Sequence, residues 1–293
     1  MDLSPVFLLH RLSAVRFIAR GIPLYWYFRC AELSALLAVV LFPHERKVIH
    51  FMRRAVGHNE PRLQIGKIGI KYVAYRKWLK YLIYGWPNWM DRWEQWSSLE
   101  GQERLTRVLA AGKGAILLSP HRFGFETLLP AVVALRGYPV NRTGRGTSGP
   151  GRIAKWGDKD RLPWTYINYG NDYWSHIRAL RQIRQALRRN EVLHLSIRTQ
   201  RSGPPGLGIR LFGQEFFLDP AIVEVIEILQ APVLPCFCLL SERGVLRVKI
   251  YPEMKPLRPD IMAAFAPLYT RHIHDHPELS QIWKRLALGW EAW

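Results

Sequence analysis

The stretch "GAILLSPHRFGFETLLPAVVAL", residues Gly114 to Leu135, decides how this chain is read. Ala115-Ile116-Leu117-Leu118 is a short apolar run without polar alternation, the pattern of a strand buried on both faces. The segment "TLLPAVVALRG" reads as a helix, with Pro130 tolerable near its first turns. His121 therefore falls directly after a buried strand, and Glu126 falls where the helix begins. In open α/β sheets, ligands bind outside the carboxyl ends of the strands. On one continuous helix, residues five apart lie roughly 140° around the axis and do not meet. With His121 in the strand-to-helix turn and Glu126 in the helix's first turn, the two side chains can converge, and Gly124 lets the chain bend between them. A carboxylate beside a histidine fixes its tautomer and stabilises the imidazolium, which makes the ring a competent general base. A polar turn that only solvates the strand end is the competing reading of the same residues.

Outward from this stretch, helices and strands alternate. "GQERLTRVLAAGK" reads as a helix ended by Gly112, "YPVNRTG" as a strand and turn, and "SHIRALRQIRQALRRN" as a helix with five arginines opposite an Ile177-Leu180-Ile183-Leu187 face. "EVLHLSIR" is a strand and "GIRLFGQEFFL" a hairpin around Gly213. "PAIVEVIEILQA" is a helix, "PVLPCFCLL" a buried strand and "VLRVKIYPEM" an edge strand. The tail from Pro256 reads as one or two closing helices. The alternation predicts an α/β domain over residues 101–293, a mixed sheet flanked by helices. Residues 1–100 read as mostly helical. There Trp86, Trp89, Trp93 and Trp96 recur at intervals of three, four and three, a single helical stripe that suits either core packing or a surface dipping into lipid headgroups.

Of the 293 residues, 48% are hydrophobic, enough to bury a sizeable core. Cys30, Cys236 and Cys238 cannot build a disulfide framework, and a reducing compartment follows. The net charge is +19, and Arg136 to Arg210 holds 15 basic residues against 4 acidic ones. Such a field draws polyanions: nucleic acid, anionic lipid or a phosphate-bearing substrate. The 12 tryptophans beside so many basic residues favour a membrane interface. The apolar part of "YWYFRCAELSALLAVVLF", Tyr25 to Phe42, has a charge-free core only from Leu33 to Phe42. That is too short to span a bilayer, so the N-terminal region is expected to lie on the membrane or to anchor marginally. A pair of core helices is the competing reading.

"GAILLSPHRFGFE" resembles the His-x4-Asp/Glu block of glycerolipid-type acyltransferases, and in particular that of the late acyltransferases of lipid A biosynthesis. That family carries an apolar strand and then a histidine, glycine, aromatic and glutamate, matched here by His121-Arg122-Phe123-Gly124-Phe125-Glu126. A second block agrees in order and spacing: Leu211-Phe212-Gly213, Pro220, then Ala231-Pro232-Val233-Leu234-Pro235. Together the blocks span roughly residues 105–240. The resemblance implies transfer of an acyl chain from acyl carrier protein or acyl-CoA to a hydroxyl of a membrane lipid at the cytoplasmic face of the inner membrane. His121 would be the general base and Glu126 its orienting partner, with no metal and no further cofactor. Phe123 and Phe125 would wall the acyl chain. Arg122, Arg152, Arg161, Arg198, Phe212 and Gly213 are the further substrate-binding candidates, arginine being suited to bidentate phosphate contacts. Where the family shows an Asp-Gln pair after the "EVLHLSI" strand, this chain reads Arg198-Thr199-Gln200. The acceptor therefore stays open between a lipid A precursor and another lipid, glycolipid or secondary metabolite.

Two other readings compete. The charge and aromatics would suit a nucleic-acid binder, but no nucleic-acid motif is found, so none is expected as a partner. A catalytically dead relative could act as a scaffold. His272, His274 and His276 in "RHIHDHPE" are read as a polar surface turn rather than a metal site, and His194 as a satisfied core histidine.

Overall fold

The computed structural model describes residues 24–56, 62–80, 92–145, 163–170, 172–200, 208–212, 214–241, 243–254, 260–283 and 287. It divides into two compact units. One comprises residues 1–96, 240–245 and 276–293, and the other residues 97–239 and 246–275.

The first unit is built on three helices: α1 (Leu24–Leu41), α2 (Pro43–Val56) and α3 (Arg62–Lys80). On α1, Phe28, Ala31, Ala35 and Ala38 are buried at three- and four-residue spacing, so a stripe of small side chains lets α3 approach closely. α3 answers with Tyr72, Val73, Tyr75 and Trp78. On α2, Val48, Ile49 and Met52 are buried, and the buried Glu45 pairs with Arg76 of α3 at 3.1 Å. The opposite face of α1 is apolar and exposed: Trp26, Leu33, Leu36, Leu37, Val40, Leu41 and Phe42. No described helix is long and apolar enough to cross a membrane. The tryptophan stripe expected from the sequence is only partly visible, because Trp86 and Trp89 lie outside the described residues. Trp93 to Trp96 form a single helical turn, in which Trp96 is fully buried.

The second unit is an α/β layer structure. Its elements in chain order are β1 (Ser97–Glu100), α4 (Gln102–Leu109), β2 (Ala115–Pro120), α5 (Leu129–Ala134), β3 (Val140–Arg145), β4 (Thr165–Tyr169) and α6 (Tyr173–Arg188). They continue with β5 (Val192–Ile197), β6 (Thr199–Gln200), β7 (Gly208–Leu211), β8 (Gln214–Leu218), α7 (Ala221–Leu229), β9 (Val233–Leu240), β10 (Leu246–Ile250) and α8 (Asp260–Asp275). Seven strands form one sheet in the order β1-β10-β9-β2-β5-β3-β4. The pairs β1/β10, β9/β2, β2/β5, β5/β3 and β3/β4 are parallel. β9 and β10 are joined by only five residues, too few for a parallel return, so this pair runs antiparallel. β2 and β9 are buried at every position, which is why both read as unbroken apolar runs rather than alternating ones. A small antiparallel sheet, β6-β8-β7, contains the expected hairpin.

Two sequence expectations need correction. β10 is not an edge strand, because β1 pairs along its open side. "SSLE" is four residues long and without a hydrophobic pattern, so it gave no strand signal inside a region read as helical. The histidine-rich stretch is not a surface turn: His272 lies in α8 and is buried, its Nε2 sharing a 2.7 Å hydrogen bond with the Tyr251 hydroxyl and its ring 4.0 Å from that of Phe237. The β1-to-α4 corner depends on Gly101, whose φ is +80° and whose missing Cβ would lie 2.4 Å from the Ile250 carbonyl oxygen. Gly101→Ala is therefore expected to lower unfolding free energy by at least about 1–2 kcal/mol, the cost of the left-handed backbone alone. Chemical denaturation checks this.

Candidate active site

β2 delivers the chain to the carboxyl edge of the sheet, and residues 121–125 turn it back toward α5. The turn is strapped at both ends. The His121 amide donates to the Ile197 carbonyl at the end of β5 (2.7 Å), and the Phe125 amide donates to the Cys238 carbonyl of β9 (3.2 Å). Within it Gly124 has φ +58°, the bend the sequence called for, and Arg122 has φ +60°. A left-handed non-glycine residue costs on the order of 1–3 kcal/mol, and such strain concentrates at functional sites. Glu126 opens a 3-10 turn, Glu126–Leu128, that runs directly into α5.

The two residues five apart do converge. His121 Nδ1 lies 3.4 Å from Glu126 Oε1. The His121 side chain keeps 30% of its surface exposed, whereas that of Glu126 keeps 5%. The other carboxylate oxygen is held from below: Ser196 Oγ donates to Oε2 at 3.2 Å, and Arg142 Nη2 lies 3.4 Å from it. Arg142 is itself tied down by Nη1 donating to the Thr127 carbonyl at 3.1 Å. Burial alone would push the Glu126 carboxyl up. The Arg142 charge, the His121 hydrogen bond and the His121 charge outweigh it and hold Glu126 well below the usual carboxylate range. A buried, ionised carboxylate thus faces Nδ1 of a partly exposed histidine, leaving Nε2 as the nitrogen available to a substrate proton.

Strand register explains how the partners arrive. Ser119 lies opposite Ser196 across β2/β5, and Arg142 lies opposite His194 across β3/β5. Side chains at paired positions, and at i and i+2 on a strand, share a face, so Ser119, His194, Ser196 and Arg142 line one face near the carboxyl edge. His194 is fully buried; Ser119 Oγ and its Nε2 share a 2.8 Å hydrogen bond, and its Nδ1 has no hydrogen-bond partner among the described residues. Burial first, and then the Arg142 charge, push its pKa down to about 3, so the ring stays neutral. Arg142 and Ser196 were not among the sequence candidates. The available signal was polar residues at alternate positions, His194 and Ser196, in a strand otherwise buried.

The other candidates are distributed differently. Phe123 and Phe125 are both buried. The Phe123 ring packs edge-on against Phe237 and Tyr269, at centroid distances of 6.1 and 6.4 Å, so it sits in the aromatic core beside the turn. Arg122 is half-buried in the turn. Arg198 is half-buried just past β5, its carbonyl accepting from the Asp219 amide at 3.0 Å. Phe212 is half-buried with φ +52°, its ring 4.7 Å from that of His274. Arg152, Arg161 and Gly213 lie outside the described residues. Cys236 and Cys238 are buried, and burial pushes both thiols upward, away from the thiolate form. Among the described residues no group of His, Cys, Asp and Glu could hold a metal ion.

Glu126 gives the site a signed pH response. Its pKa falls on folding, so the stability it contributes is present above its ordinary value of 4.5 and is lost as pH drops below that value. Glu126→Gln removes this pH-dependent contribution. The variant is expected to show a flatter loss of stability between about pH 4.5 and pH 3 than the parent, read from denaturant midpoints across that window.

The family described as bacterial lipid A biosynthesis acyltransferase matches the chain over residues 82–285, a span that includes the whole site. No curated protein matches the chain.

Proposed function

Because the chain belongs to the bacterial lipid A biosynthesis acyltransferases, and is thereby an acyltransferase for lipid A-type acceptors, we propose that His121 is its general base. Acyl carrier protein or acyl-CoA is the donor, and no other cofactor takes part. The observation that carries this is the 3.4 Å approach of His121 Nδ1 to a carboxylate that its surroundings keep ionised. Nε2 takes the proton from the acceptor hydroxyl as its oxygen attacks the thioester carbonyl. The tetrahedral intermediate collapses with cleavage of the C–S bond, and the imidazolium returns the proton to the departing thiolate. Glu126 stabilises the imidazolium between these steps, and Arg142 and Ser196 hold Glu126 in place. The chain works at the cytoplasmic face of the inner membrane. In support, α1 exposes a run of large apolar side chains, with Val40 at 68% and Leu41 at 67% of their full surface, and apolar faces of this size are uncommon on proteins that remain in water. Basic residues such as those between Arg136 and Arg210 suit an acidic carrier protein and a phosphorylated acceptor.

Lipid mass spectrometry of cells with and without the gene tests the reading. An acceptor lipid heavier by one acyl chain, only when the gene is present, is the expected result. Identical lipid profiles would overturn it.

A further inference from the structure

Tyr173 and Trp174, the first residues of α6, each expose 69% of their surface. They stack edge-to-face at 5.5 Å on each other and have no other ring partner among the described residues. Their position in the sheet gives this exposure a meaning. β2, β5, β3 and β4 are mutually parallel, so the carboxyl end of β4 lies on the same edge as that of β2. α6 starts four residues after β4 ends, with Asp172 as its cap accepting from the Ser175 amide at 2.9 Å. The aromatic pair therefore sits on the edge that carries His121 and Glu126. It is three strand spacings away, about 14 Å at the usual strand separation. On the following turns Arg178 and Arg181 are exposed as well.

Tryptophan and tyrosine are the side chains selected at the boundary between hydrocarbon and water, and arginine just behind them reaches anionic headgroups. An acceptor anchored by acyl chains cannot leave the bilayer, so the edge bearing His121 has to meet the lipid surface. We infer that the Tyr173–Trp174 pair, backed by Arg178 and Arg181, is a bilayer-contacting rim of the catalytic unit, seated among anionic phospholipid headgroups so that the His121 edge faces the membrane. This rests on the membrane-bound acceptor proposed above and adds which edge of the catalytic unit meets the lipid.

The test places an environment-sensitive nitrobenzoxadiazole probe at Trp174→Cys in a Cys30→Ser background, Cys236 and Cys238 being buried. Because residue 174 is mostly exposed, the substitution leaves the core intact. Lys113→Cys, exposed at the opposite edge of the same sheet just before β2, carries the control probe. With phosphatidylcholine vesicles containing phosphatidylglycerol, emission at position 174 should rise severalfold and shift to the blue, and headgroup-region spin-labelled lipid should quench it. The position 113 probe should stay as it is in buffer. A silent probe at 174 in protein that still sediments with the vesicles overturns the inference and leaves membrane association standing. Equal responses at 174 and 113 overturn it as unspecific adsorption. A response to acyl carrier protein but not to vesicles overturns it in favour of a protein-docking edge. Failure to sediment with vesicles at all overturns both this inference and the membrane association on which it rests.

Discussion

His121→Ala should fold like the parent and transfer acyl chains about 10²–10⁴ times more slowly, the range that a positioned general base contributes. The two halves of this expectation have separate grounds. The side chain is partly exposed, and Arg142 and Ser196 continue to hold Glu126, so the protein should stay folded with a loss of stability smaller than that of Arg142→Met. The loss of rate follows because alanine leaves no imidazole beside Glu126 Oε1. His194, the nearest alternative in kind, is fully buried and spends its Nε2 on Ser119. Steady-state kinetics with a thioester donor and a hydroxyl acceptor read the effect, and turnover equal to the parent's would remove His121 from the mechanism. His121→Gln refines the test, since it restores a hydrogen-bonding group toward Glu126 without a usable base and should be as slow as alanine.

Arg142→Met is expected to produce the largest loss of stability, about 3–5 kcal/mol, the scale for removing one partner from a buried ion pair. The methionine keeps most of the arginine stem's volume, so the loss reports on charge rather than on a cavity. Without Arg142, the largest of the influences that hold the Glu126 carboxyl down is gone, so it moves up. A less firmly ionised Glu126 would stabilise an imidazolium at His121 less, so the rate should fall along with stability. A double-mutant cycle separates the pair from the separate side chains. Arg142→Met with Glu126→Gln should be less destabilised than the two single changes added together, by about 0.5–3 kcal/mol. Strict additivity in urea unfolding would show that the two do not act as an ion pair.

How much of this was legible in the sequence depended on the distance over which each feature is decided. The meeting of His121 and Glu126 was readable because it is local: a strand end at Pro120, Gly124 and a helical start at Glu126 fall within seven residues. β2, β5 and β9 were readable because strands covered on both faces leave unbroken apolar runs. β1 was not, because four residues carry no period and its only credential is its pairing with β10, nearly 150 residues away. Arg142 and Ser196 were missed for the same physical reason. They reach Glu126 only because the strand order β2-β5-β3 brings residues 16 and 70 positions away onto one face. His272 was misjudged by reading its alternating neighbours as a turn. In α8 it is in phase with Phe265 and Tyr269 at seven and three residues before it, which is the buried stripe of a helix.

The strapped turn at residues 121–125 has a consequence for motion. Its two amides are bonded to the carbonyls of Ile197 and Cys238, on the two strands that flank β2. For the His121 amide to meet solvent deuterium, β2 has to part from β5. The central strands of a sheet part only in the rarest openings. A catalytic residue on a loop ordinarily belongs to the fast-exchanging part of a protein. Here the backbone of His121 and Phe125 should exchange on the timescale of the sheet's own unfolding, so that the imidazole proposed as the base moves about a point as fixed as the core.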